Sequence, residues 1–179
     1  DLHLFGCVGN LFAVKSFHFA IKPLGVISSK NKARCGLCIV GVGPEEQNLK
    51  ELTAKLNVDN VFFVGKQIDM VAAYSAMQTL LITSKSESSS LALLEATACD
   101  CSILSSNVGI CAEVIKEMDN GGIVHSREPE VWAKAIEIHL NDKKFKDDAL
   151  QLSQIVKLKQ KYDTNKKMDR LLSTVMSET

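Results

Sequence analysis

Short, almost wholly apolar runs recur along the chain, and the stretches between them place apolar residues three and four positions apart. The runs Leu2–Val8, Gly36–Val42, Val61–Val64, Thr79–Thr83, Ser102–Ser105 and Gly121–Val124 read as strands. Between them, Phe17, Phe19, Ala20, Ile21 and Leu24 predict a helix bent at Pro23, and Leu49, Leu52 and Leu56 share one face of a second helix. Further helices are predicted from Ile68 to about Met77, through the Ala/Leu-rich run that ends at Ala98, around Glu113, Val114 and Ile115, and from Pro129 through Val131, Trp132, Ala135, Ile136 and Leu140. Strands apolar on both faces, alternating with helices, argue for a parallel sheet covered on both sides. The expected fold is therefore a Rossmann-like, three-layer α/β domain with a parallel sheet of about six strands. Residues 1–150 would form the sheet domain. Residues 151–179, which carry no strand signal and keep Tyr162, Met168, Leu171, Leu172 and Val175 as a stripe, would be its C-terminal helices.

In such sheets ligands collect at the carboxyl ends of the strands, where Gly9, Gly43, Gly65, Glu87 and Asn107 all fall. The most informative of these ends is Ser84–Ala98, S-K-S-E-S-S-S-L-A-L-L-E-A-T-A, a strand-to-helix turn rich in serine. A helix start leaves backbone N–H groups unpaired and carries positive dipole charge, so a phosphate can dock on Ser89, Ser90 and Leu91. Glu87 precedes the helix and Glu95 lies inside it, so one carboxylate can face a ligand over the helix tip while the other reaches its flank. A nucleotide-sugar, with phosphates between two hydroxyl-rich groups, would use all of this.

Composition narrows the field. A chain of 179 residues suits one core that buries roughly 70% of the unfolded surface. With 21 basic and 21 acidic residues, and Lys157–Lys167 as a solvated run, nucleic acid is not an expected partner. No apolar run reaches the roughly 18 residues that span a bilayer, so no transmembrane segment is expected. Cys35, Cys38, Cys99 and Cys101 lie in or beside apolar runs, which reads as packing. In an extended strand Cys35 and Cys38 would point to opposite faces, and no second pair stands at zinc spacing. Reduced thiols fit a cytoplasmic place.

Glu87 and Glu95 with the following Ala96-Thr97-Ala98 resemble the E-x7-E element of retaining glycosyltransferases with the GT-B fold, family 4 type. Gly9-Asn10-Leu11 with Lys15-Ser16 is similar to that family's G-R-L and K-G turn, and Ile39–Pro44 to its I-V-G-x-G-P turn. Val61–Gly65 is similar to V-x-F-x-G, Asn107-Val108-Gly109 through Glu113 to D-x-G-G-x-x-E, and Tyr162–Met176 to the closing helix. The resemblance implies the C-terminal, donor-binding half of such an enzyme, transferring a hexose-type sugar with retention to a glycan or lipid acceptor bound by a preceding half. It places Glu87 at the reacting face of the donor sugar, Glu95 on the ribose hydroxyls, and Lys15, Ser90 and Leu91 on the diphosphate. The base would lie by Gly65 and Lys66, with Gly9, Asn10, Gly43, Ser88 and Ser89 lining the donor site. No cofactor or metal is expected, because Lys15 and the helix start supply positive charge. A cytoplasmic protein, peripheral at the inner membrane face in full-length form, is implied. Alone, the fragment would bind and not turn over.

The chain departs from the pattern at Asn10, where the family has arginine, at Ser16 and Ile110, where it has glycine, and at Ser88 and Ser89. An alternative is therefore a non-catalytic binding or scaffold domain that kept the fold and lost donor chemistry. Gly41-Val42-Gly43 is no dinucleotide fingerprint, since Glu46 stands at the third glycine. No G-x-S-x-G is present, and His3, His18, His125 and His139 are too scattered for a relay. Phe17, Phe19, Phe62, Phe63 and Trp132 are expected in the core.

Overall fold

In the computed structural model, residues 3–27, 31 and 34–141 are described. The strands are β1 (His3–Val8), β2 (Cys35–Val40), β3 (Val61–Gly65), β4 (Thr79–Ile82), β5 (Ser102–Ser106) and β6 (Gly121–Val124). The helices are α1 (His18–Val26), α2 (Glu46–Lys55), α3 (Met70–Ser75), α4 (Leu91–Ala98), α5 (Cys111–Met118) and α6 (Pro129–Asn141). All strand pairs are parallel, in the order β3-β2-β1-β4-β5-β6. The chain builds the sheet outward from β1 in one direction, then returns to start β4 on its other side. The crevice where strand order reverses therefore opens between the ends of β1 and β4.

Period-two alternation within the strands divides the core. Phe5, Cys7, Leu37, Ile39, Leu81 and Leu104 pack with Ala20, Ile21, Leu24, Leu49, Trp132 and Ile136 of α1, α2 and α6. Leu80, Ile82 and Ile103 pack on the other face with Tyr74, Leu93, Leu94 and Val114 of α3, α4 and α5. Neighbouring residues such as Leu80 and Leu81 thus enter different layers. Cys35 and Cys38 do the same, as an extended strand requires. Among the described residues no helix is long and apolar enough to cross a membrane.

The expected elements are present, with corrections at their ends. β2 stops at Val40 rather than Val42, because Gly41 takes φ 136° and leads the chain under the first rim turn. A Cβ at Gly41 would lie 1.9 Å from the Gly9 carbonyl oxygen, so only glycine permits that approach. The helix expected over 68–77 is confined to Met70–Ser75, where the Asp69 carboxylate caps it by accepting from the Ala72 N–H. Ile68 is left 98% exposed. Phe17 and Trp132 are buried and Phe19 and Phe63 partly so, but Phe62 is 48% exposed, since it lies on the edge strand β3 with its side chain on the face opposite Phe63. Pro23 lies inside α1, and its carbonyl still accepts from Ile27 N–H at 2.9 Å.

His3 and His139, scattered in sequence, join one polar chain across the amino ends of the strands. His3 Nε2 hydrogen-bonds with Thr79 Oγ1 at 2.8 Å, Thr79 Oγ1 with Ser102 Oγ at 2.7 Å, and Ser102 Oγ with His139 Nε2 at 2.7 Å. That end of the sheet is remote from the crevice. The C-terminal helices expected over 151–179 lie outside the described residues.

Candidate functional site

The turns after β1 and β4 are tied together by one backbone bond and one from a hydroxyl. Lys85 N–H donates to Val14 O at 2.8 Å, and the Thr83 hydroxyl donates to Lys15 O at 2.9 Å. Lys15 closes a short 3-10 turn, Ala13–Lys15, and Ser16 then takes the left-handed conformation with φ 52°. This aims the Lys15 ammonium across the crevice. Its Nζ donates to Glu87 Oε1 at 2.6 Å, and Ser84 Oγ donates to the same oxygen at 2.6 Å.

Glycine is required beside the pair at Gly109, where a Cβ would stand 2.7 Å from the Glu87 carbonyl oxygen, while Gly9 turns the chain with φ 144°. The Lys15 and Glu87 side chains are 25% and 10% exposed, so the pair sits in the mouth of the crevice and not on open surface. Cys111, at the start of α5, is buried and feels both charges. Burial pushes that thiol up, the Ser105 hydroxyl acts against this, and Glu87 and Lys15 then act in opposite directions.

Arg127 completes the arrangement, and sequence reading missed it. Its Nη1 and Nη2 donate at 2.7 Å to the consecutive carbonyls of Thr83 and Ser84, and its Cζ lies 5.2 Å from the Phe19 ring centroid. Ser106 Oγ donates to the same Ser84 carbonyl at 2.9 Å and to Ile82 O at 3.0 Å. The segment that presents Glu87 is therefore held from three elements. In sequence Arg127 was only one charge in a polar loop, with no motif around it.

The other sequence-derived residues divide into two groups. Asn10, Lys66, Ser88, Ser89 and Leu91 are exposed along the rim. Gly43 packs there against the Leu11 backbone, and Gly65, with φ 66°, accepts at its carbonyl from Gly41 N–H. Ser90 and Glu95 are instead buried. The Ser90 hydroxyl accepts from Leu93 N–H at 3.3 Å as the cap of α4. Glu95 is 4% exposed, and its Oε2 accepts from the Tyr74 phenol at 3.0 Å. Burial, then the Glu95 charge, push the Tyr74 hydroxyl well above the ordinary phenol range, so it remains a donor. The two carboxylates thus occupy different surroundings: Glu87 meets an ammonium at the mouth, while Glu95 meets a phenol beneath α4.

A glycine-lined crevice at the switch point of a parallel α/β sheet, with a lysine, a carboxylate and a helix start at its mouth, defines a Rossmann-like ligand-binding domain. Residues 1–157 match the family described as glycosyl transferases group 1, and the chain belongs to that family. It is 37% identical over 116 residues to the N-acetyl-alpha-D-glucosaminyl L-malate synthase of Bacillus anthracis, a match covering 64% of this chain and 30% of that protein. The chain spans about a third of the length of the first curated relatives it matches, 38% and 30% respectively. Among solved structures, Anabaena HepE in complex with UDP and glucose superposes with TM-score 0.78 at 17% identity, covering 99% of this chain and 48% of that one. The C-terminal domain of a group 1 glycosyl transferase, LpcC of Francisella tularensis, superposes with TM-score 0.73 at 21% identity, covering 89% of this chain and 86% of that one. These structural likenesses concern the fold.

Proposed function

We propose that this chain is the donor-binding half of a family 4 type retaining glycosyltransferase, and that its crevice holds a nucleoside-diphosphate sugar. The observation that carries the reading is the Lys15–Glu87 pair at the crevice mouth, 2.6 Å apart, beside the start of α4. The names of its relatives, a glucosaminyl malate synthase and a D-inositol 3-phosphate glycosyltransferase, support sugar transfer. HepE with UDP and glucose, on the same fold, supports the donor class.

In this reading Lys15 and the backbone N–H groups of Ser89, Ser90 and Leu91 take the diphosphate. They stabilise the charge that develops on it as the glycosidic bond to the nucleotide breaks. The ammonium reaches the phosphate by exchanging Glu87 for it, which frees the carboxylate toward the donor sugar. Gly9, Asn10, Gly43, Ser88 and Ser89 line the remaining wall, and Gly65 and Lys66 meet the base. Glu95 serves the ribose hydroxyls, which requires the first turn of α4 to shift, because Tyr74 now holds that carboxylate below the surface. The lysine and the helix start do the work of a cation, so the reaction needs no metal.

The sugar is a hexose, passed with retention to a glycan or lipid acceptor held by a half outside this sequence, at the cytoplasmic face of a membrane. This chain alone binds and does not turn over. Calorimetry with UDP, GDP, ADP and their sugars tests the reading: saturable binding of one nucleotide family is the expected result, and no binding of any of them overturns it.

A further inference from the structure

Two segments bring basic groups to a single half-buried aromatic ring, and a third places Lys85 near enough to act on the neighbouring His18. His18 and Lys22 come from α1, Lys85 from the loop after β4, and Arg127 from the loop after β6. The ring is Phe19. The His18 ring centroid lies 4.5 Å from it, Lys22 Nζ 5.8 Å and Arg127 Cζ 5.2 Å.

Among the described residues the ion pairs are Lys15–Glu87 and Lys50–Glu46, so Lys22, Lys85 and Arg127 have no carboxylate partner there. This is a local excess, because the whole chain carries 21 basic and 21 acidic residues. His18 registers it. Burial lowers its pKa, and Lys22, Lys85 and Arg127 lower it further, against Glu45 as the one carboxylate that raises it. Arg127 spends two of its N–H groups on Thr83 O and Ser84 O, and a guanidinium keeps three more. Uncompensated cations gathered from a helix and two loops around one aromatic side chain repel one another, and an anion removes the repulsion.

We propose that Phe19, Lys22, Lys85 and Arg127 form an anion site for a phosphate group of the acceptor substrate, which reaches this chain from the half that holds the rest of the acceptor. The assignment to the acceptor rests on the donor reading above; the anion site itself does not. The N–H groups that Arg127 does not spend on Thr83 and Ser84 can donate to phosphate oxygens, and the two ammonium groups supply unspecific attraction around them. Lys85 stands two residues before Glu87, so the bound phosphate would lie on the loop that presents the proposed catalytic carboxylate. A soluble sugar phosphate and a phospholipid headgroup share this chemistry.

The test uses the whole chain, with donor-site occupancy controlled by saturating amounts of whichever of UDP, GDP and ADP binds. Inorganic phosphate is titrated at constant ionic strength while the His18 imidazole and the amides of Phe19, Lys22, Lys85 and Arg127 are followed by NMR. Saturable shifts are expected that chloride of equal ionic strength does not reproduce, with the His18 titration midpoint moving upward when phosphate is bound. Lys22→Gln combined with Lys85→Gln should weaken phosphate by about tenfold and leave UDP unchanged. Equal responses to phosphate and chloride, or unchanged affinity in that variant, overturn the site.

Glycerophosphate and vesicles of phosphatidic acid in phosphatidylcholine then separate the sources: competition by the first indicates a soluble acceptor, and co-sedimentation with the second a lipid. A phosphate response without binding of UDP, GDP or ADP withdraws the acceptor assignment and the donor reading together. UDP binding without a phosphate response removes this site alone.

Discussion

The Arg127 guanidinium lies 2.7 Å from the carbonyl oxygen of Ser84, and the hydroxyl of that same Ser84 lies 2.6 Å from the Glu87 carboxylate. A residue from the far edge of the sheet therefore sets the backbone from which the crevice pair is presented. Arg127→Met removes two charge-assisted bonds and should cost about 1–3 kcal/mol of stability. UDP-glucose affinity should fall further than affinity for the nucleoside. Arg127→Lys should recover part of the stability and little of the affinity, because one ammonium cannot serve two consecutive carbonyls in a fixed fork. Denaturant melts and calorimetry on the same samples check both. A variant that melts early yet binds normally would show that Arg127 only braces the fold.

Lys15 is neutralised by Glu87 in the free protein, so a diphosphate has to compete with a carboxylate 2.6 Å away. Lys15→Ala should weaken the bound nucleoside diphosphate by roughly 1.5–3 kcal/mol and barely affect the corresponding nucleoside. Glu87→Gln should bind UDP at least as tightly as the parent, since the ammonium is released. Equal losses on the diphosphate and the free nucleoside in the Lys15 variant would rule out a phosphate contact.

Glu95 and Tyr74 are coupled beneath α4, with the phenol donating at 3.0 Å. Tyr74→Phe leaves a buried carboxylate without that donor and should destabilise the domain by about 1–3 kcal/mol. Glu95→Ala should weaken nucleotide binding by about 1–3 kcal/mol through lost ribose bonds. Unchanged nucleotide affinity in the latter would leave Glu95 with a structural role only.

His18 gives the fold a pH dependence whose sign follows from its surroundings. Its pKa is depressed in the folded state, by burial first and then by Lys22, Lys85 and Arg127. The unfolded chain therefore takes up the proton first, and stability is full above the ordinary histidine value of about 6.5. It falls as the pH drops from there toward the folded-state value. Thermal midpoints measured across that window should decline, and His18→Gln should flatten the decline. An equal slope in the variant assigns the effect to another group.

Much of this architecture is local and was readable without coordinates. Alternation along each strand and three-four spacing along each helix are set by side-chain period, so the six-stranded parallel sheet followed from pattern alone. The rim positions followed too, because glycine marks where a turn needs positive φ or close backbone approach, as at Gly9 and Gly41. Element ends were less legible. Ile68 and Met77 share the apolar pattern of α3 but lie outside it, since the Asp69 cap and the turn at Ala76 decide where the helix runs.

What the linear order could not contain was partnership across the sheet. Lys15 and Glu87 are 72 residues apart, and Arg127 and Ser84 are 43 apart. Each pair meets because the chain reverses its direction of sheet growth at β4 and brings distant loops to one rim. The same folding step placed Glu95 under Tyr74, joined His3 to His139 through two hydroxyls, and left Phe62 on an uncovered edge. Residue type and spacing determined what kind of fold this is and where its rim lies. Which charges meet there depends on strand order, a global property that no local window of sequence records.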